Sequence, residues 1–125
     1  MSEYKQIKDL WEFVGGNLSL NPEKGDIRDL IDEMNCENDF SWECDGEEYR
    51  VIHTNVIDDI AEEEIKEIVQ DCYLNGTDLD KYWWIAIDWQ QTADNCISAD
   101  GYGHHFSSYD GSEEEWEDWY FFRVN

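Results

Sequence analysis

The sequence predicts one α+β domain over residues 1–125, with three or four helices packed on a small, mainly antiparallel β-sheet. Three observations predict it. Apolar residues recur at helical spacing in four separate stretches. Two short alternating stretches flank an Asp-Gly pair, a strong hairpin signal. An aromatic segment then closes the chain. With seven Trp, seven Tyr and five Phe in a chain that is 41% hydrophobic, the protein can bury a core despite a formal net charge of −24. Acidic disordered tails are poor in aromatics.

Each element follows in order. Ile7, Leu10, Trp11 and Val14 stand at i, i+3, i+4 and i+7, a helical stripe over residues 4–14. Gly15-Gly16 is expected to end it in a left-handed cap. After Asn21-Pro22, Asp26 is expected to start a second helix carrying Ile27, Leu30, Ile31 and Met34. Phe40, Trp42 and Cys44 alternate, as do Tyr49 and Val51. A two-residue turn at Asp45-Gly46 places Trp42 opposite Tyr49 and Phe40 opposite Val51.

Thr54 or Asn55 is expected to cap a third helix over residues 55–74. Its buried face is Ile57, Ile60, Ala61, Ile65, Ile68, Val69 and Cys72, and Asn75-Gly76 ends it. The apolar run Tyr82–Ile87 reads as a central strand buried on both faces. Asp88 caps a short helix with Trp89, Thr92, Ala93, Cys96 and Ile97. A loop over Asp100–Ser108 leads to a closing β element, whose last strand is expected at Trp119–Val124.

Charge bounds the function. The chain has 32 Asp and Glu against 8 Lys and Arg. No basic stripe exists to neutralise phosphates, which argues against direct nucleic-acid binding. The same charge disfavours an anionic membrane. No apolar run reaches the length of a membrane span. Met1–Leu10 is polar and mixed in charge, so no secretory signal is expected and a cytoplasmic setting is. Cys36, Cys44, Cys72 and Cys96 form no C-x-x-C pair and are expected as buried free thiols.

The acids fall in three sets. Asp59, Glu63, Glu67 and Asp71 recur every four residues along the third helix, with Asp58 and Glu62 beside them and only Lys66 interrupting. Each i, i+4 like-charge pair costs a helix about 0.2–0.5 kcal/mol, so stability alone does not favour the pattern. Four residues rise about 6 Å. Phosphates on one DNA strand advance about 3.4 Å along the axis, so the line roughly matches every second phosphate. Glu43, Asp45, Glu47 and Glu48 surround the hairpin tip. Glu113, Glu114, Glu115, Glu117 and Asp118 lie near the C-terminus. A folded chain of this length is about 35–40 Å across. Duplex DNA of that length carries on the order of 22 phosphates, comparable with the net charge. These three sets are the candidate phosphate mimics. Generic solubility or adaptation to high salt also yields many acids, although it does not account for the seven Trp.

Catalytic signatures are scarce. There is no phosphate-binding glycine loop, G-x-S-x-G, H-E-x-x-H or calcium loop. His104 and His105, in the segment Gly101–Ser108, offer a metal or catalytic alternative with Cys96 or nearby acids. Adjacent residues in a strand point to opposite faces, however, so a structural role is expected for them and for His53. No metal or cofactor is expected.

The segment from Ile87 to Asn125 carries Ile87-Asp88-Trp89, Ala93, Asn95, Asp100-Gly101-Tyr102, Tyr109-Asp110-Gly111 and Tyr120-Phe121-Phe122-Arg123. It resembles the end of the ArdA-type antirestriction proteins, which phages and conjugative elements encode. The resemblance covers 39 of the 125 residues. It implies an acidic homodimer that imitates bent duplex DNA and occupies the DNA groove of a type I restriction-modification enzyme. Anti-CRISPR proteins that block a DNA-reading site are a close neighbour of that reading. The expectation is a non-catalytic inhibitor whose partner is a host DNA-binding protein or nuclease complex. The alternatives are a small acidic adaptor that does not mimic DNA, or a metal-dependent enzyme using His104 and His105.

Overall fold

The computed structural model describes residues 3–70 and 87–125, with side chains from residue 5 onward. The order of elements is α1 (Glu3–Gly16), α2 (Lys24–Cys36), β1 (Asp39–Cys44), β2 (Glu47–His53), α3 (Thr54–Ile68), α4 (Trp89–Phe106), β3 (Glu114–Trp116) and β4 (Trp119–Arg123). The strands form one antiparallel sheet in the order β1-β2-β4-β3. The fold is therefore α+β.

The sheet is covered on both faces. Along β2, Tyr49 and Val51 turn to one side, and Arg50 and Ile52 to the other. Along β4, the adjacent Phe121 and Phe122 do the same. Phe121 joins the core under α1 and α2, with Leu10, Val14, Ile27, Leu30, Trp42 and Val51. Phe122 joins a second core under α3 and α4, with Ile52, Ile57, Ala61, Ile65, Ala93 and Phe106. Burying a Phe or Ile side chain contributes roughly 1.5–3 kcal/mol. The Phe121-Phe122 pair thus ties both helical layers to one strand.

The hairpin forms in the expected register, with Trp42 opposite Tyr49 and Phe40 opposite Val51. Asp45 and Gly46 both take positive φ, 53° and 80°, which the mirror-image two-residue turn requires. The last strand and the Asp88 cap also stand where expected. The Asp88 Oδ1 accepts a hydrogen bond from the Gln91 N–H at 3.0 Å.

Several boundaries differ from expectation. Gly16 is the last residue of α1, and the left-handed residue that follows is Ser19 (φ 56°), not a glycine. Asp26 is not the start of α2 but its third residue, where its carboxylate accepts from the Glu23 N–H in a reciprocal capping box. The cap of α3 is neither Thr54 nor Asn55. His53 Nδ1 accepts from the Asn55 N–H at 3.0 Å, which gives His53 a structural role. The expected loop over residues 100–108 is helical as far as Phe106, because Gly101 (φ 82°) absorbs a kink and a further helical turn follows.

Ile68 is exposed rather than buried. Of the cysteines, Cys44 is buried but Cys36 is exposed, and both are free thiols, as is Cys96. Cys72, Asp71, the turn at Asn75-Gly76 and the expected strand at 82–86 lie outside the described residues. Ile87 itself is not in a strand.

Candidate functional site

The outward face of α3 follows from its buried one. Ile57, Ala61 and Ile65 face the sheet at i, i+4, i+8. Asp59, Glu63 and Glu67 are offset by two residues, which places them roughly on the opposite side of the helix. All three are exposed. Asp58 is exposed and Glu62 half-exposed on the flank nearer α4. The Asp58 carboxylate accepts a short hydrogen bond from the Tyr102 hydroxyl.

The fold brings part of the C-terminal acidic set to the same end of the molecule. The Thr54 N–H donates to the Asp118 carbonyl at 2.8 Å, so the start of α3 is stitched to the β3–β4 turn carrying Glu117 and Asp118. Glu115 lies opposite Tyr120, on the face of the sheet that α3 and α4 cover. Glu113 Oε1 accepts from the Gly103 N–H at 3.1 Å. Asp58, Glu113 and Glu115 thereby gather around Tyr102 and Tyr120, whose rings lie 5.4 Å apart. Burial, with these carboxylates, pushes both phenols above their ordinary range, so both remain hydrogen-bond donors at neutral pH. Glu114 does not join them. It lies opposite Phe121, on the α1–α2 side of the sheet.

The hairpin-tip acids stand apart. The tip is at the opposite end of β2 from the start of α3, about 20 Å away at ~3.3 Å per strand residue. Glu43 and Asp45 are exposed, but Glu47 and Glu48 are half-buried. Glu47 pairs with Arg123 at 3.2 Å and accepts from the Tyr49 hydroxyl at 3.3 Å. Asp45 Oδ2 accepts from the Asn21 N–H at 3.3 Å. Of the three expected sets, the described α3 acids are joined to Glu117 and Asp118 through the Thr54–Asp118 bond, Glu113 and Glu115 gather around Tyr102 and Tyr120, and Glu114 and the hairpin tip stand apart.

Cations are segregated too. Of the eight Lys and Arg, Lys5, Lys8, Lys24 and Arg28 lie on α1 and α2, which themselves bear acids such as Asp29, Asp32 and Glu33. Among the described residues, α3 and α4 themselves carry one lysine or arginine, Lys66, whose ammonium sits 5.8 Å from the centre of the Trp89 ring, and Lys81 lies outside those residues. Arg50 and Arg123 are committed to internal ion pairs.

Two carboxylates escaped the sequence reading. Arg50 donates to Asp39 (3.0 and 2.7 Å) and to Glu64 (3.2 and 2.7 Å), while its guanidinium lies 5.0 Å from the centre of the Phe106 ring. These bonds hold the Arg50 charge more firmly than in water. Glu64 is therefore a clamp between α3 and the sheet. Its spacing carried the signal, because it stands four residues after Ile60 and seven after Ile57, on the flank of the buried face.

His104 and His105 lie in the last turn of α4, not in a loop or strand, and both line a groove between α3 and α4. His104 is exposed, whereas His105 approaches Glu64 with Nε2 at 3.3 Å from Oε1. The approach is close, but the alignment does not make a hydrogen bond. Among the described residues, no group of three His, Cys, Asp or Glu side chains is placed to hold a metal ion. Nor, among those residues, is any helix long and apolar enough to cross a membrane.

Comparison with known proteins returns no matching family model, no matching curated protein and no matching solved structure.

Proposed function

We propose that the protein is a non-catalytic inhibitor whose α3–α4 side imitates nucleic-acid phosphates and occupies the basic DNA-binding surface of a host defence enzyme. Its targets would be a restriction-modification complex or a CRISPR effector in the cytoplasm of the host cell. One observation carries the reading: among the described residues, Asp59, Glu63 and Glu67 line the exposed side of α3 with Lys66 as the one lysine or arginine on α3 and α4, while half of the chain's cations sit on the α1–α2 layer. A merely soluble domain gains nothing from this segregation, since mixed charges on both layers would serve and would spare α3 its like-charge pairs.

In this reading, Asp59, Glu63 and Glu67 accept charge-assisted hydrogen bonds from Arg and Lys of the partner. Glu117 and Asp118 extend the band past the start of α3. The field of the whole molecule steers the encounter, so association is fast and falls steeply with salt. The likeness of residues 87–125 to ArdA-type antirestriction proteins points to the same class of partner, and homodimer formation belongs to that part of the proposal.

Capture from host lysate tests it. The immobilised protein should retain a DNA-binding enzyme that elutes in a salt gradient and that duplex DNA displaces. Retention that duplex DNA cannot compete away would defeat the mimicry and leave an acidic adaptor.

A further inference from the structure

Between α3 and α4 lies an open groove of about 420 Å³, lined by Ile65, Ile68, Val69, Cys96, Asp100 and His105 among others. Its floor is the edge of the second core, where Ile65 is buried and Val69 and Cys96 pack against it. Ile68 leaves 45% of its surface exposed, one of only three large apolar side chains among the described residues to do so. The His105 side chain is nine-tenths buried in its wall, with Nε2 turned to Glu64 Oε1 at 3.3 Å without a hydrogen bond.

We propose that this groove receives an apolar anchor residue carried on a Lys- and Arg-rich amphipathic helix of the basic partner. The inference rests on the reading of the α3–α4 side as a cation-binding surface, and it adds what that surface holds besides charge. Charge complementarity selects the occupant. Lys66 is the one lysine or arginine of these two helices, against Asp100 in the groove's lining and Glu62, Glu63 and Glu67 on the groove's end of α3. An uncharged or acidic segment would meet either no complement or repulsion at this rim. A helix with one apolar face and one basic face satisfies floor and rim together, the way amphipathic helices are taken into grooves elsewhere. The volume suits one or two anchor side chains. Such a centre supplies the salt-resistant part of an affinity whose rim is salt-sensitive.

Two synthetic helical peptides separate the possibilities. One carries Leu along one face and Lys along the other; its counterpart has Ser in place of every Leu and the same charge. Binding is followed by fluorescence anisotropy of labelled peptide at low and high salt. The Leu/Lys peptide should bind at least about tenfold tighter. Its advantage should persist in salt and vanish in Ile68→Ser, and the His105 ring signals in NMR should shift on its addition. Because Ile68 is half-exposed, that variant should keep its fold, which its amide spectrum checks. Equal binding of the two peptides, or an undiminished advantage in folded Ile68→Ser, overturns the groove and leaves the acidic surface standing. Failure of both peptides to bind at low salt overturns both.

Discussion

Changing Asp59→Asn, Glu63→Gln and Glu67→Gln together should stabilise the protein while abolishing its hold on a basic partner. The three carboxylates form two successive i, i+4 pairs on the exposed side of α3. Each like-charge pair costs about 0.2–0.5 kcal/mol, so the triple change should gain roughly 0.4–1 kcal/mol. At ~2.1 cal/mol/K per residue, a chain of 125 residues has an unfolding entropy of about 0.26 kcal/mol/K near its midpoint. The melting temperature should therefore rise by about 2–4 °C at low ionic strength. In 1 M salt the screening length is about 3 Å, shorter than the ~5–6 Å between neighbouring positions, so the gain should shrink towards zero. Circular dichroism melts at both salt concentrations measure this, alongside salt-gradient capture from lysate. A variant that melts lower would show that the line is structural. One that melts higher yet retains its partner would remove α3 from the interface.

Other outcomes follow from the packing and the titrating groups. Gly103→Ala would place its Cβ 2.2 Å from the Gly111 carbonyl oxygen, a backbone contact that must shift, so urea unfolding should show a loss of about 1–3 kcal/mol. Arg50→Met leaves Asp39 and Glu64 facing one another without their shared cation; because all three are partly exposed, the cost should be about 1–2 kcal/mol by urea titration. Burial and the nearby Asp26 push the Cys44 thiol from 9.0 up to about 12, and burial with Glu47 raises the Tyr49 phenol from 10.0 to about 12. Raised native values favour the folded state below the unfolded values, and that contribution is lost as pH climbs from about 9 towards 12. The urea midpoint should therefore fall across that window, and less steeply in Cys44→Ala.

Legibility differed from element to element for physical reasons. The β1–β2 register was readable because Asp-Gly suits a two-residue turn of positive φ, and that turn fixes every pair behind it. The outward line Asp59, Glu63, Glu67 was readable because helical period is a property of the chain itself. The cap of α3 was not, since an imidazole accepting from the second residue onward competes with better-known capping side chains. The helical stretch after Gly101 was hidden by its glycines and serines. Packing decides it: Gly103 lies against Gly111, and the Ser107 hydroxyl donates to the Arg123 carbonyl at 2.7 Å.

The amino-acid order by itself determined the helical stripes, the hairpin, the charge and the side of α3 that faces water, because periodicity, turn chemistry and ionisation are local. Only the tertiary structure decided which acids are neighbours. The chain's path from β2 into α3, bonded to Asp118, joins Glu117 and Asp118 to the α3 line, while the length of β2 holds the hairpin tip away. It also decided that Glu64 bonds Arg50 and stands 3.3 Å from His105 Nε2 without a hydrogen bond. Spacing puts Glu64 on the flank of the buried face, but which cation meets it there depends on distances across layers.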